Sequence, residues 1–248
     1  MSWSGIEGAQ LDHVACGVAS IAEAARFVTG VLGGEPWLGG PGSDFVFAQW
    51  RFEGGGVLEV IEPTGPPNGF LRRFLATRGP GVHHVTFKVK HLALACERVR
   101  EAGLEVVGFD DSSPGWKEAF LHPKQAQGLV LQLAESHPEL DSSSSESWAP
   151  PPAPLAPSPP VRLLGLRLAS RDLSAARRQW GELLGGAERR LGEDLVFVWP
   201  DSPLRIRVSL DPAGHEGPRA LELATARPLE LTPGAHPVLG VRFERVEA

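Results

Sequence analysis

Two stretches of the chain carry one hydrophobic and polar pattern. Residues 57–62 read VLEVIE and residues 130–135 read VLQLAE, each an apolar strand interrupted at its centre by one polar residue, Glu59 or Gln132. Each stretch closes a block that opens on a strand with a histidine in it, LDHVA around His13 and VHHVTF around His84. Helical periods follow the openings. SIAEAARFVTGVLGG starts at Ser20 as an N-cap, with Glu23 three residues on, and stops at Gly33-Gly34. HLALACERVREAGL places Leu92, Ala95, Cys96, Val99 and Ala102 along one helical stripe. His84 follows His13 by 71 residues, His91 follows Ser20 by 71, and Gln132 follows Glu59 by 73, so a two-residue difference in loop length aligns the blocks.

Within block one the pattern predicts further strands over DFVFAQWRF (44–52) and VLEVIEP, separated by a Gly54–Gly56 turn. A Pro- and Gly-rich loop and a short helix, GFLRRFLATRG, lead to block two. There FDDSSPGWKE reads as a loop, AFLHP (119–123) as a strand ended by Pro123, and GLVLQLAE as the closing strand. Strand alternation turns Glu59 and Gln132 toward whatever the opening histidine of each block faces. Aligning HHV on DHV selects His84 as the partner of His13, and sends His83 to the opposite face.

Residues 137–160, HPELDSSSSESWAPPPAPLAPSPP, have little to bury and read as an extended tether. Beyond it LRLASRDLSAARRQWGELLGG (166–186) matches GVASIAEAARFVTGVLGG. The same offset puts Leu163 where His13 stands, and LRIRVSLDP puts Val208 opposite Glu59. PRALELAT places Glu222 near the position of His84, with no helix after it. Three segments are therefore expected: a domain over 1–136, a Ser/Pro-rich linker over 137–160, and a degenerate copy without ligands over 161–248.

Composition narrows the partners. With 42% apolar and 22% charged residues the 248-residue chain is an ordinary globular protein, and its net charge of −6 disfavours nucleic acid and anionic membrane surfaces. Cys16 and Cys96 lack CxxC spacing and read as buried reduced thiols. No apolar run approaches the roughly 20 residues of a membrane span, and the first ten residues have no secretory pattern, so the expected location is the cytoplasm. The Gly39–Gly42 and Gly54–Gly56 runs open no GK[ST] phosphate loop, and G-x-S-x-G is absent.

The tandem blocks, the H-V strand starts, GPGVHHVTFKV and a final L-[EQ]-L strand after an HP turn resemble the vicinal oxygen chelate superfamily of glyoxalases, bleomycin-resistance proteins, extradiol dioxygenases and acyl-CoA epimerases. LDHVA, LEVIEP, GVHHVTF and FLHPKQAQGLVLQL look most like the epimerase and glyoxalase members. The resemblance covers 11–136 well and 161–248 weakly. It implies an α+β fold of tandem βαβββ modules forming half-open barrel sheets, with one divalent-metal ligand from the first and last strand of each module: His13, Glu59, His84 and Gln132. That donor set suits Zn, Co, Ni, Mn or Fe. The chemistry implied is isomerase or lyase action on a small carbonyl or acyl-thioester substrate, through an enolate stabilised by the cation, with a carboxylate moving the proton.

One departure bears on mechanism. The epimerase and glyoxalase I carry glutamate where this chain has Gln132, and an amide is no base at neutral pH. Glu59 is then the only carboxylate in the ligand set, with Glu118, Asp44 or Glu62 as further proton carriers if loops bring them inward. Trp116 and Lys117 offer either a lid with a cation for an anionic substrate or a solvated loop anchored by Trp116, and Arg72, Arg73 and Arg78 either an anion contact or a solvated helix face. His122 reads as structural, and Trp50 and Trp180 as core or interface aromatics. The reading favours an enzyme over a sequestering protein of the bleomycin-resistance type. An extradiol dioxygenase is weaker, because the ligand order differs and the chain has no Tyr. The worn copy is expected to cover the working half, giving a monomer by intramolecular pairing where relatives form a homodimer.

Overall fold

The computed structural model describes residues 4–140, 149, 151, 158–231 and 233–247, so most of the expected tether lies outside the described residues. Block one contains β1 (Gln10–Gly17), α1 (Ile21–Gly30), β2 (Glu35–Pro41), β3 (Phe45–Arg51) and β4 (Val57–Pro63). A connecting helix, α2 (Phe70–Arg78), leads to block two: β5 (Gly81–Lys88), α3 (Leu92–Glu101), β6 (Val107–Asp110), β7 (Trp116–Leu121) and β8 (Val130–Ser136). Both blocks are βαβββ.

The eight strands form one sheet in the order β2-β3-β4-β1-β5-β8-β7-β6. The repeat is exact in register: β1 runs parallel to β4 with Ala15 opposite Glu59, and β5 parallel to β8 with Thr86 opposite Gln132. Two strands had no signal in the alternation. β2 (EPWLGGP) and β6 (VGFD) are the outermost strands, and no residue of either is fully buried, so neither needs an apolar face. β7 also starts three residues earlier than AFLHP and stops before His122 and Pro123, where the ring removes the next backbone donor.

The glutamate that ends each repeated stretch has its own cause. Glu62 Oε2 accepts from the first N–H of α1, at Ile21 (2.7 Å), and Glu135 Oε2 accepts from the first N–H of α3, at Leu92 (2.7 Å). Orphan donors at a helix start favour such a carboxylate. Ser20 Oγ caps α1 at Glu23 N (3.3 Å), as expected, whereas His91 makes no side-chain cap, so α3 relies on Glu135. Trp50, fully buried, donates to Thr29 Oγ1 of α1 (2.9 Å), which identifies the helix-covered face of β3 and β4 as the one opposite Glu59. Cys16 and Cys96 are buried free thiols, and burial pushes Cys16 up to about 12.

The C-terminal half repeats the plan once: β9 (Arg162–Ser170), α4 (Leu173–Ala176) running on as a π-helix over Arg177–Leu183, β10 (Ala187–Leu191), β11 (Asp194–Val198) and β12 (Arg205–Leu210). Then β13 (Gly217–Ala224) pairs in parallel with β14 (Arg242–Arg245), and no helix joins them among the described residues. These form a six-stranded sheet, β10-β11-β12-β9-β13-β14.

Leu163, Val208 and Glu222 are all buried. The expected pairing of Val208 with Glu59's position is corrected by strand face. Val208 shares a face with Ile206 and Phe197, and Phe197 packs on Gly181 and Gly186 beside the π-helix. The opposite face of β12 carries Arg205 and Arg207, with Arg207 Nε on Asp194 Oδ2 (2.6 Å). Guanidinium groups cannot ligate a cation, so this face of β12 presents no metal-type donor at Arg205 or Arg207.

The chain divides into two compact units that cut across its halves. One comprises Met1–Asp12, His84–Glu146 and Leu166–Arg219; the other comprises His13–His83, Ser147–Gly165 and Ala220–Ala248. In the first, Phe87 of β5 packs against Trp180 and Trp199 of the C-terminal half, with centroids at 6.2 and 4.9 Å. In the second, Phe27 of α1 meets His236 and Phe243, at 4.1 and 5.1 Å, and Arg227 donates to Val31 O (2.6 Å). Ser158 at the end of the tether donates to Gly30 O (3.2 Å).

Candidate metal centre and its neighbours

In block one, β1 presents His13 and β4 presents Glu59, both buried and flanked along their strands by the buried apolar residues Val14, Ala15, Leu58 and Val60. His13 Nε2 stands 3.6 Å from Glu59 Oε2, too far for a hydrogen bond and in the range of two atoms sharing one ion. Gln49, directly opposite Glu59 in the β3–β4 register, donates from Nε2 to Glu59 Oε2 (2.8 Å) and fixes the carboxylate. Ala15, small and opposite Glu59 on the parallel side, leaves the carboxylate room.

In block two, His84 and Gln132 are likewise buried. Thr86 Oγ1 donates to Gln132 Oε1 (2.5 Å), and Gln132 Nε2 donates to Glu118 Oε2 (2.7 Å). Trp116 Nε1 donates to the same oxygen (2.9 Å), so neither donor engages Oε1 of Glu118. Lys88 lies over the Trp116 ring at 4.0 Å.

One ligand atom from each of His13, Glu59 and His84 lies within 4.8 Å of the other two, and all three residues are buried. The donor set fits a divalent ion. Two imidazole nitrogens and a carboxylate oxygen are borderline-to-hard ligands of the kind such an ion takes. The carbonyl oxygen of Gln132 keeps a second lone pair beyond the Thr86 bond.

Other expected residues fall elsewhere. Lys117 is corrected: strand alternation puts it on the α3 side, where its Nζ pairs with Glu135 Oε1 (2.6 Å), so it is no lid cation. Burial pushes the Glu135 carboxyl up, but hydrogen bonds from Lys117, Leu92 N and His137 outweigh it and hold the group at about 2. Glu62 serves α1 rather than the site. Arg72 donates to Gly65 O and Pro63 O, and Arg73 to Asn68 O, so both hold the 63–68 loop. His122 accepts from Lys124 N (3.2 Å) and is structural. His83, expected on the face away from the site, instead has its ring against Phe70 and Phe74 of α2 and within reach of the Glu59 charge; burial, opposed by Glu59 and aided by Arg78, pushes it down to about 4. Gln49 and Thr86, which hold Glu59 and Gln132, went unread in the sequence. The signal was present: each is a polar residue at an inward strand position paired with a ligand position.

Comparisons with known proteins place the chain in a family. Residues 12–120 match the family model for the Glyoxalase/Bleomycin resistance protein/Dioxygenase superfamily. An ethylmalonyl-CoA/methylmalonyl-CoA epimerase of Cereibacter sphaeroides is 30% identical over 138 residues, covering 51% of this chain and 97% of that protein. The chain belongs to this superfamily. The mitochondrial methylmalonyl-CoA epimerase of Homo sapiens is 28% identical over 140 residues, covering 51% of this chain and 74% of that protein. The crystal structure of methylmalonyl-CoA epimerase from Mycobacterium tuberculosis superposes with a TM-score of 0.50 at 24% identity, covering 58% of this chain and 97% of that one, and shares the superfamily fold. Superfamily membership, a two-module α+β fold and epimerase relatives are thus in hand. No helix among the described residues is long and apolar enough to cross a membrane.

Proposed function

We propose that the chain is a divalent-cation-dependent isomerase that moves a proton beside the carbonyl of a small acyl thioester, a reading supported by its similarity to epimerases of ethylmalonyl-CoA and methylmalonyl-CoA. His13, Glu59 and His84 would hold the cation, with Gln132 Oε1 as a fourth ligand. The observation that carries the reading is the buried convergence of these donors. A cation held there supplies Lewis acidity, lowering the cost of negative charge on a substrate carbonyl oxygen.

The chain's own groups supply the proton transfer. Gln132 cannot act as a base, and Glu59 is committed to the ion and to Gln49. Glu118 is the carboxylate that hydrogen-bonds Gln132, positioned by Gln132 and Trp116 through one oxygen. Its carboxylate takes the proton from the carbon next to the carbonyl. The C–H electron pair delocalises onto the carbonyl oxygen; return of a proton from Glu118 to the same face of the carbon completes exchange, and delivery of one to the opposite face completes inversion. Gln132 thereby acts as a positioning residue for the base as well as a ligand.

Deuterium incorporation at that carbon, followed by NMR with branched acyl thioesters in D2O, tests the reading. Cation-dependent exchange is expected. Tight binding without exchange would favour the sequestering protein. We further propose a cytoplasmic monomer in which the C-terminal half covers the N-terminal one; an obligate dimer through the N-terminal half in light scattering would contradict it.

A further inference from the structure

We infer that the substituent beside the reacting carbon is bulky and apolar, aryl or branched alkyl, and not the second carboxylate that a malonyl thioester carries. This rests on the acyl-thioester reading above. The face of block one that presents His13, Glu59 and Gln49 continues along β3 in Phe47 and Phe45, at alternate positions from Gln49. Helix α2 lies against the same face. At Gly17, two positions beyond Ala15, an added Cβ would meet Leu71 Cδ1 at 2.9 Å and Phe74 Cε1 at 3.1 Å, so the glycine permits the helix to approach.

The rings then form a continuous strip. Phe70 meets Phe45 edge-on at 5.8 Å, and Phe70 and Phe74 meet the His83 ring at 5.5 and 4.9 Å. Phe45, Phe47 and Phe74 are only half-buried and Phe70 is 38% exposed, an apolar surface left partly open next to the carboxylate of Glu59.

Two of the three arginines on α2 are engaged away from a substrate carboxylate: Arg72 and Arg73 are tied to carbonyls of the 63–68 loop, while Arg78, the exposed final residue, is close enough for its charge to act on His83. A substrate carboxylate at this strip would meet benzyl rings and the like charge of Glu59, whereas an aryl or alkyl group would complete the strip.

The test compares two probes on the full chain loaded with zinc: the N-acetylcysteamine thioesters of 2-methyl-3-phenylpropanoic acid and of methylmalonic acid. Calorimetry is expected to show the aryl compound bound about 10-fold or more tightly, the worth of one buried aromatic group. Phe70→Ala, at a partly open position, and Phe74→Ala should each cut that preference to about 2-fold or less without changing bound zinc. Equal or tighter binding of the methylmalonyl compound, a preference that survives both substitutions, or binding of neither probe would overturn the inference. Proton exchange in the same samples separates it from the reading beneath. Aryl preference without exchange sinks the isomerase and keeps the strip; exchange that favours methylmalonyl does the reverse.

Discussion

Block one and block two place the same pair of groups, one carboxylate and one carboxamide, across their last two strands, but with the roles exchanged. In block one the acid, Glu59, is on the closing strand and the amide, Gln49, stands directly opposite. In block two the amide, Gln132, is on the closing strand, and the acid, Glu118, is reached diagonally, since Phe120 is its direct opposite. The duplicated backbone fixes where polar groups sit; under the proposed function both closing-strand positions, Glu59 and Gln132, hold the cation, and the acid of block two, Glu118, is left to carry the proton.

The largest effect should come from breaking the asymmetry at Glu118. Glu118→Gln keeps shape and hydrogen-bonding capacity but removes the base, so proton exchange should fall by about 10²–10⁴ with bound cation unchanged. NMR exchange rates paired with metal analysis check this; an undiminished rate would move the base elsewhere. Next, Gln49→Leu removes the donor that orients Glu59, and cation affinity should weaken by about 10- to 100-fold in a competitive chelator titration.

Gln132→Glu sharpens the comparison by placing a second carboxylate against Glu118. Two acids at hydrogen-bonding distance share a proton, so the acid limb of the exchange profile should move up by about one pH unit or more. Unchanged pH dependence would detach Glu118 from the reaction.

The smallest effect concerns the two capping glutamates. Glu135, unlike Glu62, also holds Lys117 and His137, and its carboxyl is depressed to about 2 from an ordinary 4.5. A folded-state value below the unfolded one stabilises above about pH 4.5, and that contribution is lost as pH falls toward 2. Allowing for solvent screening of the partly open Lys117 and His137, it is worth about 1–2 kcal/mol. Urea melts at pH 6 and pH 3 should show this difference in the parent and lose it in Glu135→Gln.

Much of this was legible because a repeat is a measurement within one chain. His13, Glu59, His84 and Gln132 were readable from matched spacing, and Ser20 from its capping pattern. What was hidden had identifiable causes. Edge strands such as Glu35–Pro41 bury too little to alternate. Glu62 and Glu135 repeat as faithfully as the residues of the site, yet they serve helix starts on the other face. Lys117 was misassigned because its neighbours Trp116 and Glu118 do face Gln132, and a period of two separates them. Gln49 and Thr86 carried a readable signal only once strand register was known.

The central claim is a shared cation, and bound metal tests it most directly. Purified without chelator and reloaded with zinc, the chain should retain about one equivalent, and His13→Ala and His84→Ala should each reduce this to below about 0.2 while melting as folded proteins. Parent protein that retains no metal, or either variant that keeps its full equivalent, would contradict the account.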